Sequence, residues 1–244
     1  MIPEHRIEWD DTKVSRLWNY YSRTAPYSDI YFSKVFGDRI LKRSGVAFHE
    51  RISVLDFGCG PGFIWEHIQQ LGIRWNYTGL DFSADSVRKL DERAAGHPQF
   101  KGSVHVRQLP TEFPDNHFDA VLLLEVVEHL RDEHLSGTLR EIWRVLRPGG
   151  VVVITTPNDE DLALATKFCP ECGAIFHEWQ HVRSWSASTL SGYLQSRGFS
   201  LQFATPIDFS EYGVLGTVVA KARRLVTGRY KRPHLIASFE KPVA

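Results

Sequence analysis

Between residues 52 and 155, short runs of β-branched and aromatic residues alternate with segments whose apolar residues recur at helical spacing, and this alternation limits the fold more than any other feature. The strand-like runs are Ile52–Asp56, Asn76–Leu80, Val104–Arg107, Phe118–Leu124 and Val151–Thr155. Between them, Phe63–Leu71, Ala84–Ala95 and Leu135–Leu146 read as amphipathic helices. In the last, Leu135, Leu139, Ile142, Val145 and Leu146 fall on one face, and Arg140, Glu141 and Arg144 on another. Strands separated by helices of this length join through right-handed crossovers into a parallel sheet. The predicted class is α/β, doubly wound.

The flanking regions have a different character. Residues 1–50 carry Trp9, Trp18, Tyr20, Tyr21, Tyr27, Tyr31, Phe32 and Phe36 and read as an aromatic helical cap, with a main domain over 51–244. Later, Ser186–Ser196 reads as a serine-capped helix, and Phe199–Ala204 and His234–Glu240 as two further strands. The insert between those strands, 205–233, is too long for a hairpin and is expected to hold a helix over Tyr212–Leu225.

Lys plus Arg and Asp plus Glu both number 29, a balance that disfavours a nucleic-acid partner. Met1–Tyr20 is charged and lacks an apolar stretch, and the three cysteines are an odd number, so the expected compartment is the cytoplasm. No segment approaches the roughly 18 to 20 apolar residues that span a bilayer. Oligomeric state is not readable from one chain.

The stretch "VLDFGCGPG", Val54–Gly62, places glycines where an approaching ligand needs a bare backbone, at the carboxyl end of the first strand of the sheet. Asp81 closes the next strand in "YTGLDFS", where a carboxylate can accept both hydroxyls of a ribose. Gly60 and Gly62 stand two apart, with Pro61 between them. That spacing departs from the dinucleotide fingerprint and favours an adenosine without phosphates over a pyrophosphate.

With "GLDFS", "FPDNHFDAVLLLEVVEHL" and "LREIWRVLRPGGVVVITTPN" following in order, residues 51–158 resemble the class I S-adenosylmethionine-dependent methyltransferases. The resemblance implies a Rossmann-like, seven-stranded, mostly parallel sheet with helices on both faces, and S-adenosylmethionine as cofactor. It further implies that Gly58, Gly60 and Gly62 approach the methionine part of the cofactor and that Asp56 helps hold its amine. Asp81 would bind the ribose and Phe82 would lie against the adenine. An Asp common after the third strand of the family is missing from "VHVRQLP"; Gln108, whose amide oxygen can accept the adenine amine, is the nearest substitute.

"LLLEVVEHL" places Glu125, Glu128 and His129 at the rim beyond the fourth strand. A helical turn starting there would put all three on one face, as a cap and cofactor contact or as ligands for Mg²⁺, Mn²⁺ or Zn²⁺. "FHEWQHVRSWS" adds His177 and His181. Here the chain resembles ubiquinone-pathway O-methyltransferases and, more weakly, 3′-terminal 2′-O-methyltransferases of small RNAs. By that resemblance His181 joins Glu125, Glu128 and His129 as fourth ligand, and His129 or His177 takes the proton of an acceptor hydroxyl, with Glu128 beside them.

A rival use of the same histidines is a structural zinc site. Within the loop 168–185, Cys169, Cys172, His177 and His181 are spaced C-x2-C-x4-H-x3-H. Arg183 and Trp185 are candidates for holding an anionic or ring-shaped substrate. An apolar stretch to Ala220, followed by six basic residues from Lys221 to Arg232, suits a substrate lid, a peripheral membrane contact or a phosphate clamp. The expected function is methyl transfer to an oxygen of a small molecule, a sugar or a lipid-linked intermediate. RNA 2′-O-methyl transfer is the alternative enzyme activity, and a non-catalytic cofactor- or zinc-binding module the alternative of another class.

Overall fold

The computed structural model describes residues 3–211 and 232–243. Its elements in chain order are β1 (His5–Arg6), α1 (Asp11–Tyr21), α2 (Phe32–Arg43), β2 (Ser53–Phe57), α3 (Phe63–Gln70), β3 (Asn76–Asp81), α4 (Ala84–Ala94), β4 (Phe100–His105) and β5 (Phe118–Leu124). They continue with α5 (Asp132–Val145), β6 (Leu146–Pro157), β7 (Thr166–Phe168), β8 (Ala174–His177), α6 (Ala187–Gln195), β9 (Ser200–Ile207) and β10 (His234–Glu240). Seven strands form one sheet in the order β4-β3-β2-β5-β6-β10-β9. The strands from β4 to β6 in that order run parallel, and β10 is antiparallel to both of its neighbours.

Strand alternation divides the core. On β2, Leu55 and Phe57 face a cluster that includes Leu135, Leu139 and Ile142 of α5 and Leu190 and Leu194 of α6. Val54 faces the other side, with Ile40 and Leu41 of α2, Ile64, Trp65 and Ile68 of α3, and Leu90 of α4. Helices therefore cover both faces, as parallel strands require. Each fully buried Leu or Ile contributes about 1.5–3 kcal/mol, which holds the apolar stripe of α5; Glu141, expected on its charged face, is instead buried and bonded to Thr111 and Arg144.

Three boundaries differ from expectation, each for a local reason. Strand β4 runs from Phe100 to His105, earlier than the expected Val104–Arg107. Gly102, at φ +116°, sits in a register shift of the β3–β4 ladder, so its freedom serves a bulge. Strand β6 includes "RPGG", and β9 continues to Ile207, so the insert starts later than 205. Ser186 caps α6 in a reciprocal pair with Thr189, as its serines predict. The N-terminal region is not purely helical, since β1 pairs with β8 in a second sheet, β1-β8-β7. The expected helix over Tyr212–Leu225 and most of the basic stretch lie outside the described residues.

The chain runs β2, β3, β4 outward on one side, then β5, β6 on the other. The strand order thus reverses between β2 and β5, and a crevice opens beyond their carboxyl ends. The glycine loop follows β2 and the acid–histidine stretch follows β5. No helix among the described residues is long and apolar enough to cross a membrane.

Candidate active site

The loop after β2 is tied to β3 through backbone and carboxylate. Gly58 and Cys59 donate their N–H groups to the Leu80 carbonyl at 2.7 and 3.0 Å. Gly60 N–H donates to one oxygen of Asp81 at 2.9 Å, and Ser83 N–H to the other at 2.8 Å. Burial pushes the Asp81 carboxyl up to about 6 against those two bonds.

The three loop glycines have different reasons to be glycine. A Cβ on Gly58 would stand 2.6 Å from Val126 Cγ2, and one on Gly62 would stand 2.8 Å from Leu90 Cδ1. Packing and left-handed backbone, at φ +90° and +89°, together account for those two. Gly60, at φ +53°, has nothing within 4 Å of where its Cβ would be, so the open space lies above it.

The remaining residues of the expected cofactor set lie around this loop. Phe82 is 45% exposed directly after Asp81, and His105 Nε2 holds its carbonyl at 3.0 Å. Gln108 is exposed in the turn between β4 and β5. Asp56 is buried, with one oxygen accepting the Tyr77 hydroxyl at 2.6 Å, and burial raises its carboxyl to about 7. Cys59 is buried in the loop, and burial pushes its thiol up and leaves it inert.

Beyond β5 the predicted helical turn is absent. Glu125 takes φ +53°, its N–H donates to the Thr155 carbonyl at 3.0 Å, and α5 starts only at Asp132. Glu125 therefore stands outside the turn that carries Glu128 and His129 and outside the groups of mutually close ligand atoms, although its charge reaches Glu128. Potential ligand atoms of Glu128, His129 and His181 do lie within 4.8 Å of one another.

Glu128 accepts from Thr156 Oγ1 through Oε2 at 3.1 Å, while its buried Oε1 has no partner. Burial, then the charge of Glu125, hold the Glu128 carboxyl well above the usual carboxylate range, and burial pushes Glu125 up to about 8. Nδ1 of His129 is also buried without a partner. Burial, with His181 and His177 adding repulsion, brings His129 down to about 3, so its ring is neutral and its lone pair free at neutral pH. Such a ring suits a ligand better than a general base.

Glu160 completes a second group with His177 and His181. The two imidazoles stack at 4.5 Å, and both face the Glu160 carboxylate. His177 Nδ1 accepts the backbone N–H groups of Trp179 and His181 at 3.3 and 3.2 Å. Its proton therefore sits on Nε2, which corrects the expectation of His177 as proton acceptor: its lone pair is already taken.

The zinc set Cys169, Cys172, His177 and His181 is not brought together. Cys169 lies opposite Ala174 at the turn end of the β7–β8 hairpin, whereas His177 pairs with Thr166 at the far end. Three residues of strand separate them, about 10 Å. Among the described residues, no group of three or more metal-binding side chains includes a cysteine. Arg183 is also committed elsewhere, donating to the Leu130 carbonyl and to Asp132, and Trp185 is buried. Neither is free for a substrate.

Residues of the N-terminal region reach this site. The Trp18 ring stands edge-on to His129 at 5.1 Å, and its Nε1–H donates to Gln180 Oε1 at 3.2 Å. Gln180, buried and at φ +60°, donates through Nε2 to the His129 carbonyl at 2.9 Å. Tyr31 packs on Phe63 at 5.6 Å; burial, with Asp81 and Asp85 behind it, pushes its hydroxyl up to about 12. Glu160, Gln180, Trp18 and Tyr31 were not singled out as site residues from the sequence.

A doubly wound sheet with this strand order, a glycine loop at its switch point and an acid closing the adjacent strand has the architecture of the class I S-adenosylmethionine-dependent methyltransferases. The chain belongs to the methyltransferase domain family, whose model matches residues 30–202. It is 26% identical over 211 residues to the mitochondrial ubiquinone biosynthesis O-methyltransferase of Mus musculus, covering 80% of this chain and 55% of that protein. It is 32% identical over 145 residues to the ubiquinone biosynthesis O-methyltransferase of Pseudomonas aeruginosa, covering 59% and 58%. The chain thus spans somewhat more than half the length of these relatives.

Among solved structures, the 1,6-didemethyltoxoflavin-N1-methyltransferase of Burkholderia thailandensis, with bound S-adenosylhomocysteine, superposes with a TM-score of 0.64 at 15% identity, covering 99% of this chain and 94% of that one. The [4+2]-cyclase SpnF gives 0.64 at 19% identity, covering 100% and 99%. At such identities the likeness is one of fold, and the fold alone does not choose the chemistry.

Proposed function

We propose that this chain transfers a methyl group from S-adenosylmethionine to a hydroxyl oxygen of a small molecule, with a divalent cation held by Glu128, His129 and His181. The observation that carries this reading is the convergence of those three residues at the carboxyl end of β5, across the switch point from the open space over Gly60. The names of the relatives, O-methyltransferases of ubiquinone biosynthesis, support oxygen as the acceptor atom.

The cofactor fits the loop on this chain's own evidence: bare space at Gly60, a carboxylate at Asp81 and an exposed ring at Phe82. When bound, S-adenosylmethionine supplies an electrophilic methyl on a sulfonium, and the displacement needs in-line alignment more than any group on the enzyme. Asp81 would accept from the ribose hydroxyls, Phe82 would cover one adenine face and Gln108 would accept from the adenine amine.

The cation also fits. Glu128 Oε1 and His129 Nδ1 are buried polar atoms without partners, and buried carboxylates with raised pKa values are a charge that a cation would offset. Such an ion lowers the pKa of a hydroxyl beside it. Glu160 would orient His181, while Trp18 and Tyr31 would wall the acceptor from the N-terminal side. The test is formation of S-adenosylhomocysteine with a panel of phenols, catechols and sugars, with and without Mg²⁺ or Mn²⁺. Turnover of a hydroxyl acceptor that depends on the ion is expected. Metal-independent turnover on an amine would overturn the reading.

A further inference from the structure

We propose that Thr156 is a positioning residue for the cation: its hydroxyl holds one oxygen of the Glu128 carboxylate so that the other, Oε1, is the one presented to the ion. The inference rests on the reading of Glu128, His129 and His181 as a cation site and states how that site is kept in shape.

Thr156 stands near the end of an apolar strand. Strand β6 reads "VVVITTP" over Val151–Pro157, and Val152, Val153, Ile154, Thr155 and Thr156 are all buried. At a buried strand position valine fills the same space with no hydroxyl to satisfy, whereas a buried hydroxyl costs free energy unless it is bonded. Side chains alternate across a strand. Thr155 therefore takes the side of Val153, which packs with α2 and α3, and Thr156 takes the side of Ile154, which packs with Val127 and α5. On that side the Thr156 hydroxyl meets the stretch that follows β5 and donates to Glu128 Oε2 at 3.1 Å.

The carboxylate is thereby divided. With Oε2 engaged, Oε1 is buried without a hydrogen-bond partner and stands 3.7 Å from His129 Nε2. Two ligand atoms about 2.1 Å from one ion stand roughly 3 to 4 Å apart, so Oε1 already has the spacing that a shared ion requires. The main chain of Glu128 is fixed as well, its carbonyl accepting the Val182 N–H at 2.9 Å, which seats the segment bearing His181 alongside. The last torsion of a glutamate is broad and roughly two-fold. Without the hydroxyl the carboxylate is free to turn Oε1 away from His129, and Oε2 is left buried with no donor. Thr156 acts through Glu128 and is not itself a ligand.

The test is Mn²⁺ binding to the full chain, followed by the paramagnetic resonance of the free ion, in the parent, Thr156→Val and Thr156→Ser. Valine keeps the shape and removes the donor; serine keeps the donor and removes a methyl group from the core. Thr156→Val should bind Mn²⁺ about tenfold more weakly or worse, as when a metal ligand loses its orienting partner, while Thr156→Ser should bind close to the parent's affinity. Affinity for S-adenosylmethionine, measured without Mn²⁺, should be the same in all three and reports that each is folded. If Thr156 served packing alone, serine would be the weaker binder of the two variants. Equal Mn²⁺ affinity in Thr156→Val and the parent, or a loss as large in Thr156→Ser, would overturn the inference and leave the cation site standing. Absence of Mn²⁺ binding by the parent would remove the cation reading, and the inference with it.

Discussion

Nδ1 of His181 lies 2.5 Å from one oxygen of Glu160, whose other oxygen lies 3.5 Å from Nε2 of His177. An ionised carboxylate only accepts, so His181 carries its proton on Nδ1 and keeps its Nε2 lone pair for an ion shared with Glu128 and His129. Carboxylates that orient a ligating imidazole in this way are worth about 10–100-fold in metal affinity. Glu160→Gln keeps the shape and one acceptor oxygen but removes the charge. Mn²⁺ affinity should fall by about tenfold or more, with binding of S-adenosylmethionine unaltered. Equal Mn²⁺ affinity in variant and parent would leave Glu160 with a structural part only.

Gly60 and Gly62 should respond differently to the same added methyl group. Gly62→Ala forces a Cβ to within 2.8 Å of Leu90 Cδ1 and 3.3 Å of Leu90 Cα, at φ +89°. Overpacking of this kind costs about 1–3 kcal/mol, which thermal melting would register with no ligand present. Gly60→Ala meets no protein atom and costs only about 1–2 kcal/mol of left-handed backbone strain, yet it fills the space over the loop. Its affinity for S-adenosylmethionine, measured by calorimetry, should drop by more than its stability does. If cofactor binding to Gly60→Ala equals that of the parent, the cofactor does not cross that space.

The sheet could be read from the sequence because each central strand is a nearly unbroken apolar run and each helix carries its stripe at the right period, so local pattern and burial agree. The glycine loop and Asp81 were legible for the same reason: they sit at strand ends, where topology fixes their place. The backbone at Glu125 was not legible, because sequence spacing does not show that residue 125 takes a left-handed conformation and starts the following turn one residue later. Glu160 was invisible because "NDED" offers several acids of equal appearance, and only the return of residues 177–181 beneath that loop selects one. The cysteines and histidines at 169–181 have zinc-ligand spacing, but a hairpin strand extends about 3.3 Å per residue and keeps the two pairs apart.

The raised carboxyls beyond β5 make cation binding depend on pH, with a definite sign. Glu125 is pushed up to about 8 and Glu128 above its usual range, both chiefly by burial. An entering divalent ion must displace the Glu128 proton, and the Glu125 charge that ionises beside it adds to the attraction, so affinity should rise with pH through about 8. The metal-free protein should behave inversely. Its folded state keeps carboxyl protons that the unfolded chain loses at about pH 4. His129, at about 3 in the fold, opposes that trend until the unfolded chain's imidazoles lose their protons at about pH 6.5. From there to about pH 8 unfolding free energy should decline. Mn²⁺ should restore that loss at pH 8. Denaturant unfolding at several pH values, with and without Mn²⁺, checks both statements, and a metal-free stability that climbs over this range would contradict them.

Trp18 joins the N-terminal region to the acid–histidine cluster through Gln180, which accepts from the indole and holds the His129 carbonyl. Trp18→Phe retains an aromatic edge against His129 but leaves the Gln180 oxygen without its donor, a loss of about 1–3 kcal/mol if the group stays buried. Gln180 is then free to turn, and the backbone at His129 loses one of its supports. The expected result is methyl transfer reduced several-fold at saturating S-adenosylmethionine, with the Kd for S-adenosylmethionine unchanged, because the glycine loop is tied to β3 and not to α1. A parallel loss of cofactor affinity would mean that α1 closes over the cofactor itself, and would move the acceptor's entrance away from Trp18.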